Sequence, residues 1–167
     1  MSIDVRHINA FLEATKAVFD SMVRLPITFE KPRLGTGKSQ YDVSGVIGLS
    51  GDVVGSVIIG FSKVSAVQIA SAFAGAPLGL GTSDFADAIG ELANMIAGGA
   101  KAKFEGQDVS IGCPSVVVAP SHQISSPSSS ASICIYCNTA GGRFVIDITI
   151  QSSSKKAANP VTTQAAA

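Results

Sequence analysis

Near the middle of the chain an acid and an amide, Glu91 and Asn94, stand three residues apart, with a second acid, Asp87, four residues before the first. On a helix that spacing brings side chains side by side, one turn from one another. A carboxylate held there can pair with a cation. A carboxamide offers an acceptor and two donors but has no proton to exchange near neutral pH. It can orient a reactant and cannot serve as a general base. The chemistry on offer is positioning and ion pairing, and it requires no catalytic histidine.

Other reactive residues are thinly spread. Cys134 and Cys137 form a C-x-x-C, but on a strand that spacing sends the two side chains to opposite faces. A zinc site would have to recruit His122 and Cys113, a thin supply, so the cysteines read as small buried hydrophobes. His7 sits beside Arg6 on an N-terminal helix and reads as a surface histidine. No Gly-x-x-x-x-Gly-Lys-Ser/Thr occurs, and Gly79-Leu-Gly81 follows no strand closely enough to open a dinucleotide-binding unit. Lys155-Lys156 is too short to make a nucleic-acid patch.

The element that must position Glu91 and Asn94 is a helix over residues 83–104, capped by Ser83 or Thr82. At about 100° per residue, Ser83, Asp87, Glu91, Asn94, Gly98 and Lys101 fall within a stripe roughly 80° wide. Phe85, Ile89, Leu92, Ile96, Gly99 and Phe104 gather about half a turn away, so burying one stripe exposes the other. An ordinary solvated face would look much like this, with Asp87, Glu91 and Lys101 serving only solubility. Two features argue against that plain reading. Asn at a mid-helix surface position gives up several tenths of a kcal/mol against Lys, Glu, Gln or Ala. Gly98 and Gly99 just beyond it give up more, and close approach of another surface is one reason to tolerate such losses.

The remaining elements suit one domain. With 167 residues, 46% of them apolar and 14% charged, the chain has material for one well-buried core. Twelve basic and twelve acidic residues balance to zero net charge, which argues against a nucleic-acid binder or an electrostatically held membrane protein. No run approaches the ~20 apolar residues of a membrane span. Asp4 comes early, with no apolar run behind it, which is not the form of a signal peptide. Three cysteines make no even-numbered disulfide framework, so a reducing cytoplasm is the expected compartment.

Val5, Ile8, Leu12, Phe19 and Met22 recur at helical spacing and predict a first helix over residues 4–23, opened by Asp4 and closed before Pro26. A short strand follows at residues 27–29 and a loop at 35–39. Alternation over residues 41–61 around Ser50-Gly51-Asp52 predicts a hairpin, and its glycines Gly45, Gly48, Gly55 and Gly60 suggest something packed closely on the sheet. Ser62 caps a second helix that runs to Ala74 and ends at Gly75. Strands are expected at residues 109–111, 116–118, 133–136 and 144–150, with Gly141-Gly142 as the last turn. Residues 121–132 read as a serine-rich surface loop. The fold class is α+β, three helices packed on an antiparallel β-sheet, with one domain over residues 1–151 and a disordered tail over 152–167.

Asp87-Ala-Ile-Gly-Glu91-Leu-Ala-Asn94-Met-Ile-Ala-Gly98-Gly-Ala-Lys101 resembles the signature helix of the CheX branch of the CheC/CheX/FliY phosphatases. The motif of that family is an Asp or Ser, then Glu-x-x-Asn, then a proline further on; Asp87, Glu91 and Asn94 match it, with Pro114 or Pro120 as the proline. Only one helix carries Glu-x-x-Asn, as in the single-site CheX type rather than the two-site CheC type. The likeness extends to the first helix, the Val43-Ser-Gly-Val-Ile-Gly-Leu hairpin, Pro114-Ser-Val-Val-Val and the closing Gly142-Arg-Phe-Val-Ile-Asp-Ile. The resemblance implies a CheC-like fold and hydrolysis of the aspartyl phosphate of a CheY-like response regulator. Asn94 would hold the attacking water, Glu91 would pair with the regulator's lysine, and Asp87 would support them. It implies no cofactor of the chain's own, Mg2+ on the phosphorylated partner, and a homodimer with sheets joined across subunits. The closing strand, residues 144–150, is apolar enough to lie within such a continuous sheet. A domain of this kind that only docks a regulator or a flagellar switch component is the alternative.

Overall fold

Side-chain caps start and stop the helices close to where the sequence marks them. The computed structural model describes residues 4–36, 39–125 and 130–152. Helix α1 (Val5–Val18) is opened by Asp4, whose Oδ1 accepts the Arg6 N–H at 2.8 Å. The Arg6 guanidinium closes on the same carboxylate at 2.7 Å and, with that backbone bond, holds its pKa down to about 2. The helix widens into one π-helical turn over Phe19–Val23, and Arg24, left-handed at φ 58°, ends it before Pro26. Helix α2 (Lys63–Ala74) starts at Ser62, whose Oγ accepts the Ser65 N–H, and stops at Gly75. Helix α3 (Ser83–Lys101) is capped by Thr82, whose Oγ1 accepts the Phe85 N–H at 3.2 Å. It stops short of Phe104 because the N–H groups of Lys103 and Phe104 reach back only three residues, to Ala100 and Lys101.

The strands are β1 (Thr28–Phe29), β2 (Arg33–Leu34), β3 (Gln40–Gly51), β4 (Val53–Phe61), β5 (Val109–Ile111), β6 (Ser115–Gln123), β7 (Ile133–Thr139) and β8 (Gly142–Ser152). They form one antiparallel sheet in the order β1-β7-β8-β4-β3-β5, with β2 also on β7 and β6 following β5 along β3. The β3–β4 hairpin turns at Asp52 and pairs Val43 with Phe61 and Leu49 with Gly55. All three helices lie on one face. Phe11, Phe19, Ile69, Phe85, Ile89 and Ile96 meet Val43, Ile47, Val57, Ile59, Ile146 and Ile148 in a single core, and Phe19 and Phe61 each stack on Phe144. The opposite face holds a smaller cluster of Tyr41, Ile58, Cys134 and Val145. There the Tyr41 hydroxyl donates to Asp147 Oδ2 at 3.2 Å. No helix among the described residues is long and apolar enough to cross a membrane.

Three expectations change. Strand β2 was not foreseen, since two residues carry no alternation to read. Strand β6 is longer than residues 116–118 and takes in Ser121, His122 and Gln123, which the serine-rich composition had assigned to a loop. It is an edge strand, where Pro120 is tolerated because no neighbour needs its missing N–H. His7 is buried at 4% exposure rather than on the surface. The chain after α3 folds back over it, so Phe104 meets its ring at 4.7 Å and Gln107 Oε1 lies 2.7 Å from Nε2. The closing strand β8 lies between β4 and β7, inside the continuous sheet of its own subunit. Residues 37–38 of the expected loop, 126–129 of the serine-rich stretch and 153–167 of the expected tail lie outside the described residues.

The C-x-x-C pair splits across the sheet, Cys137 in the main core and Cys134 in the outer cluster. Burial pushes the Cys134 thiol up to about 11 and that of Cys137 higher still, whereas Cys113 is exposed. Because the thiolate is the reactive form, a disulfide reagent near neutral pH is expected to titrate Cys113 alone in the native protein. All three thiols should react after denaturation. A second fast-reacting thiol in the native state would contradict this burial.

Candidate functional site

Helix α3 is held from two sides by close backbone contacts. On the sheet side, β3 passes beneath it at Gly45, where a Cβ would stand 2.9 Å from the Ala93 Cβ and 3.4 Å from the Ile89 carbonyl oxygen. On the other, α1 approaches at Gly99, where a Cβ would stand 3.1 Å from that of Ala14. Phe85, Ile89, Leu92 and Ile96 are buried to within 1% exposure, as the apolar stripe requires. The polar stripe therefore faces outward on a rigid backing. Asp87, Glu91 and Lys101 are exposed, and Asn94 and Gly98 are half-buried.

The half-burial follows from β5 and β6, which run beside the helix in the opposite sense. Ile111 comes nearest Gly98, and Pro114 and Val116 come nearest Gly90. Asn94 lies between these contacts along the helix. A groove of about 530 Å³ opens at the Gly90 end of this face, lined by Ala86, Asp87, Gly90, Glu91, Pro114 and Val116, with Asn94 just outside its lining. Pro114 thus stands across the groove from the two acids, while Pro120 does not line it. Gly90 is the residue that sequence reasoning passed over. It falls between the two stripes, and only the fold shows that a side chain there would meet Val116 at 3.4 Å and Pro114 at 3.6 Å.

The polar groups of this face are unspent. Among the described residues, no ion pair includes Asp84, Asp87, Glu91 or Lys101, and the Asn94 carboxamide has no hydrogen-bond partner. Acids toward the helix start and a lysine at its end suit the helix dipole, but that effect fades after the first turn and does not explain Glu91 in the middle. Gly98 is likewise unexplained by packing, although glycine in a helix interior costs about 1 kcal/mol against alanine.

Elsewhere the candidates are weaker. Ser44 Oγ is hydrogen-bonded to His122 Nε2, and His122 Nδ1 to the Ala119 carbonyl at 2.7 Å. Ser44 is wholly buried, so no substrate can reach it as a nucleophile. A second groove, at Arg6, His7 and Lys103, has its charges matched by Asp4 on Arg6 and Glu13 on Lys103. Among the described residues no three metal-ligating side chains come together.

Residues 43–138, from β3 through α3 into β7, match the model of a family described as chemotaxis phosphatase CheX. Among solved structures, chemotaxis protein CheX from Desulfovibrio desulfuricans superposes with a TM-score of 0.80 at 29% identity, over 88% of this chain and 99% of that one. A chemotactic CheC-like protein from Shewanella oneidensis MR-1 gives 0.78 at 30% identity, over 89% of this chain and 100% of that one. A CheX–CheY–BeF3–Mg2+ complex from Borrelia burgdorferi contains a chain that matches at 0.75 and 25% identity, over 90% of this chain and 100% of that one. No curated protein matches the sequence. The architecture shared with these structures is the α+β CheC-like fold.

Proposed function

The chain belongs to the CheX family of chemotaxis phosphatases, and from that membership we propose that it is a cytoplasmic enzyme accelerating loss of phosphate from the aspartyl phosphate of a CheY-like response regulator. The observation that carries the reading is the unpaired Glu91 and Asn94 side by side on an outward-facing, firmly backed helix. The Borrelia burgdorferi complex, which contains CheX, CheY and Mg2+ together, supports the choice of partner and the assignment of the metal to the regulator.

An acyl phosphate is a high-energy bond, and little covalent chemistry is left for a protein to do. The step needs a water in line with the phosphorus. Asn94 Oδ1 accepts from that water while its Nδ2 is free to donate, which fixes the angle of approach. The water oxygen forms the new bond to phosphorus, the aspartate carboxylate leaves, and the water's protons end on the phosphate and in solvent. Glu91, one turn away, pairs with a lysine of the regulator and sets how deeply the helix docks. Asp87 supports that docking across the groove from Pro114. Mg2+ in the regulator's acidic pocket supplies charge neutralisation on the phosphoryl oxygens.

Adding the protein to a regulator phosphorylated with acetyl phosphate, after removal of excess donor, and following phosphate release tests the reading. Faster release than from the regulator alone is expected. Binding without any change in release would assign the domain a docking role instead.

The same reading includes a homodimer with sheets joined at an edge. Since β8 is interior, the joining strand is one at an end of the sheet, and β6 offers the longest run paired on one side only. Light scattering is expected to give a mass near twice 16.9 kDa. A monomeric mass at concentrations well above those used in assay would remove the dimer.

A further inference from the structure

Three glycines sit inside α3, and the fold accounts for two of them. A Cβ at the buried Gly90 would stand against Val116 at 3.4 Å and Pro114 at 3.6 Å, and one at Gly99 would crowd Ala14 at 3.1 Å. At Gly98 the nearest atom to a built Cβ is Ile111 Cδ1 at 3.8 Å, ordinary contact distance. Gly98 has helical backbone, so an L residue fits there without strain. Neither packing nor conformation within this chain asks for glycine at that place, and helix propensity argues against it.

Its position supplies the missing reason. Gly98 lies one turn beyond Asn94 on the same face, half-buried, with Glu91 one turn on the other side. We propose that Gly98 is a docking notch, a bare patch of helix on which the regulator's surface beside its phosphorylated aspartate rests during the reaction. This rests on the functional reading above and adds to it a residue that sets the distance between the two proteins. The occupant is set by charge. The unpaired Asp87 and Glu91 face a partner whose rim carries a cation, while Gly98 faces the part of that rim that must come close enough for Asn94 to reach a water on phosphorus. A methyl group at position 98 would hold the partner away by a fraction of its own radius, and such misplacement is costly for an in-line displacement.

Alanine at this position makes stability and activity move in opposite directions. Gly98→Ala is expected to raise the thermal midpoint by about 3 °C while raising KM for the phosphorylated regulator by about tenfold. Gly98→Leu should fold equally well and show no measurable turnover or binding of the BeF3-activated regulator. Gly99→Ala is the control: its methyl meets Ala14, so its midpoint should not rise, and its KM should match the wild type. A lowered midpoint in Gly98→Ala would mean that the fold itself requires glycine there, and the proposal would be overturned. So would a wild-type KM in that variant. A wild-type protein that neither binds nor dephosphorylates the regulator would instead overturn the functional reading, and this inference with it.

Discussion

Replacing Asn94 with alanine is expected to slow stimulated phosphate release by at least about a hundredfold while leaving capture of the phosphorylated regulator nearly unchanged. The reason lies in what the side chain touches. Its carboxamide has no hydrogen-bond partner within the described chain, so its removal breaks nothing in the fold and leaves a water without an anchor. Asn94 is also only half-buried, so truncation opens no core cavity. The contrasting variant is Glu91→Ala. An exposed carboxylate that pairs with a partner lysine contributes to encounter and docking, so its loss should appear in KM and in a flatter dependence on salt. Single-turnover release at saturating protein separates the two. If Asn94→Ala retains wild-type release there, the water-positioning role is lost. If Glu91→Ala leaves both KM and salt dependence untouched, Glu91 has no part in docking.

The largest structural effect is expected at a position that touches no partner. Gly45→Val should lower stability by about 3 kcal/mol, because overpacking a tight contact forces side chains and backbone apart. Gly45 is buried between its strand neighbours, Ile59 on β4 and Val116 on β6, with Ala93 directly above it. Part of what a Cβ there meets is the Ile89 backbone carbonyl, which cannot rotate aside as a side chain would. The helix must lift, and Asn94 lifts with Ala93. Activity per folded molecule should therefore fall along with the urea midpoint. The milder Gly45→Ala should be partly rescued by Ala93→Gly, since the pair share one contact. A Gly45→Val protein that unfolds at the wild-type urea concentration would refute the close packing of α3 on β3.

Much of this was legible in the chain itself. Thr82, Ser62 and Gly75 mark helix ends by local chemistry, and the structure places the caps there. The alternation on either side of Gly51-Asp52 marks the β3–β4 hairpin because it depends on neighbours only a few residues away. The opposition of the Phe85/Ile89/Leu92/Ile96 stripe to Asp87/Glu91/Asn94 follows from helical geometry alone. What escaped depends on partners far along the chain. His7 becomes a core residue only because Phe104 and Gln107, about a hundred residues later, close over it. The end of strand β6 looks like a loop because Ser121 and His122 are polar, and its pairing with β3 supplies the missing order. Gly90 becomes meaningful only when Pro114 and Val116 arrive beside it. Helical spacing puts Gly98 on the polar stripe and Gly99 on the apolar one, and the fold adds what a side chain at each would touch.

Because α3 is backed by β3 at Ile89 and Ala93 and by α1 at Gly99, on either side of Asn94 along the helix, its reactive face cannot melt locally without disturbing the core of the domain. Hydrogen exchange in this helix should consequently follow global unfolding. Control by fraying or refolding the helix is therefore closed to this architecture. Its output has to be governed from outside, by how many phosphorylated partners arrive and by whatever competes to cover the face.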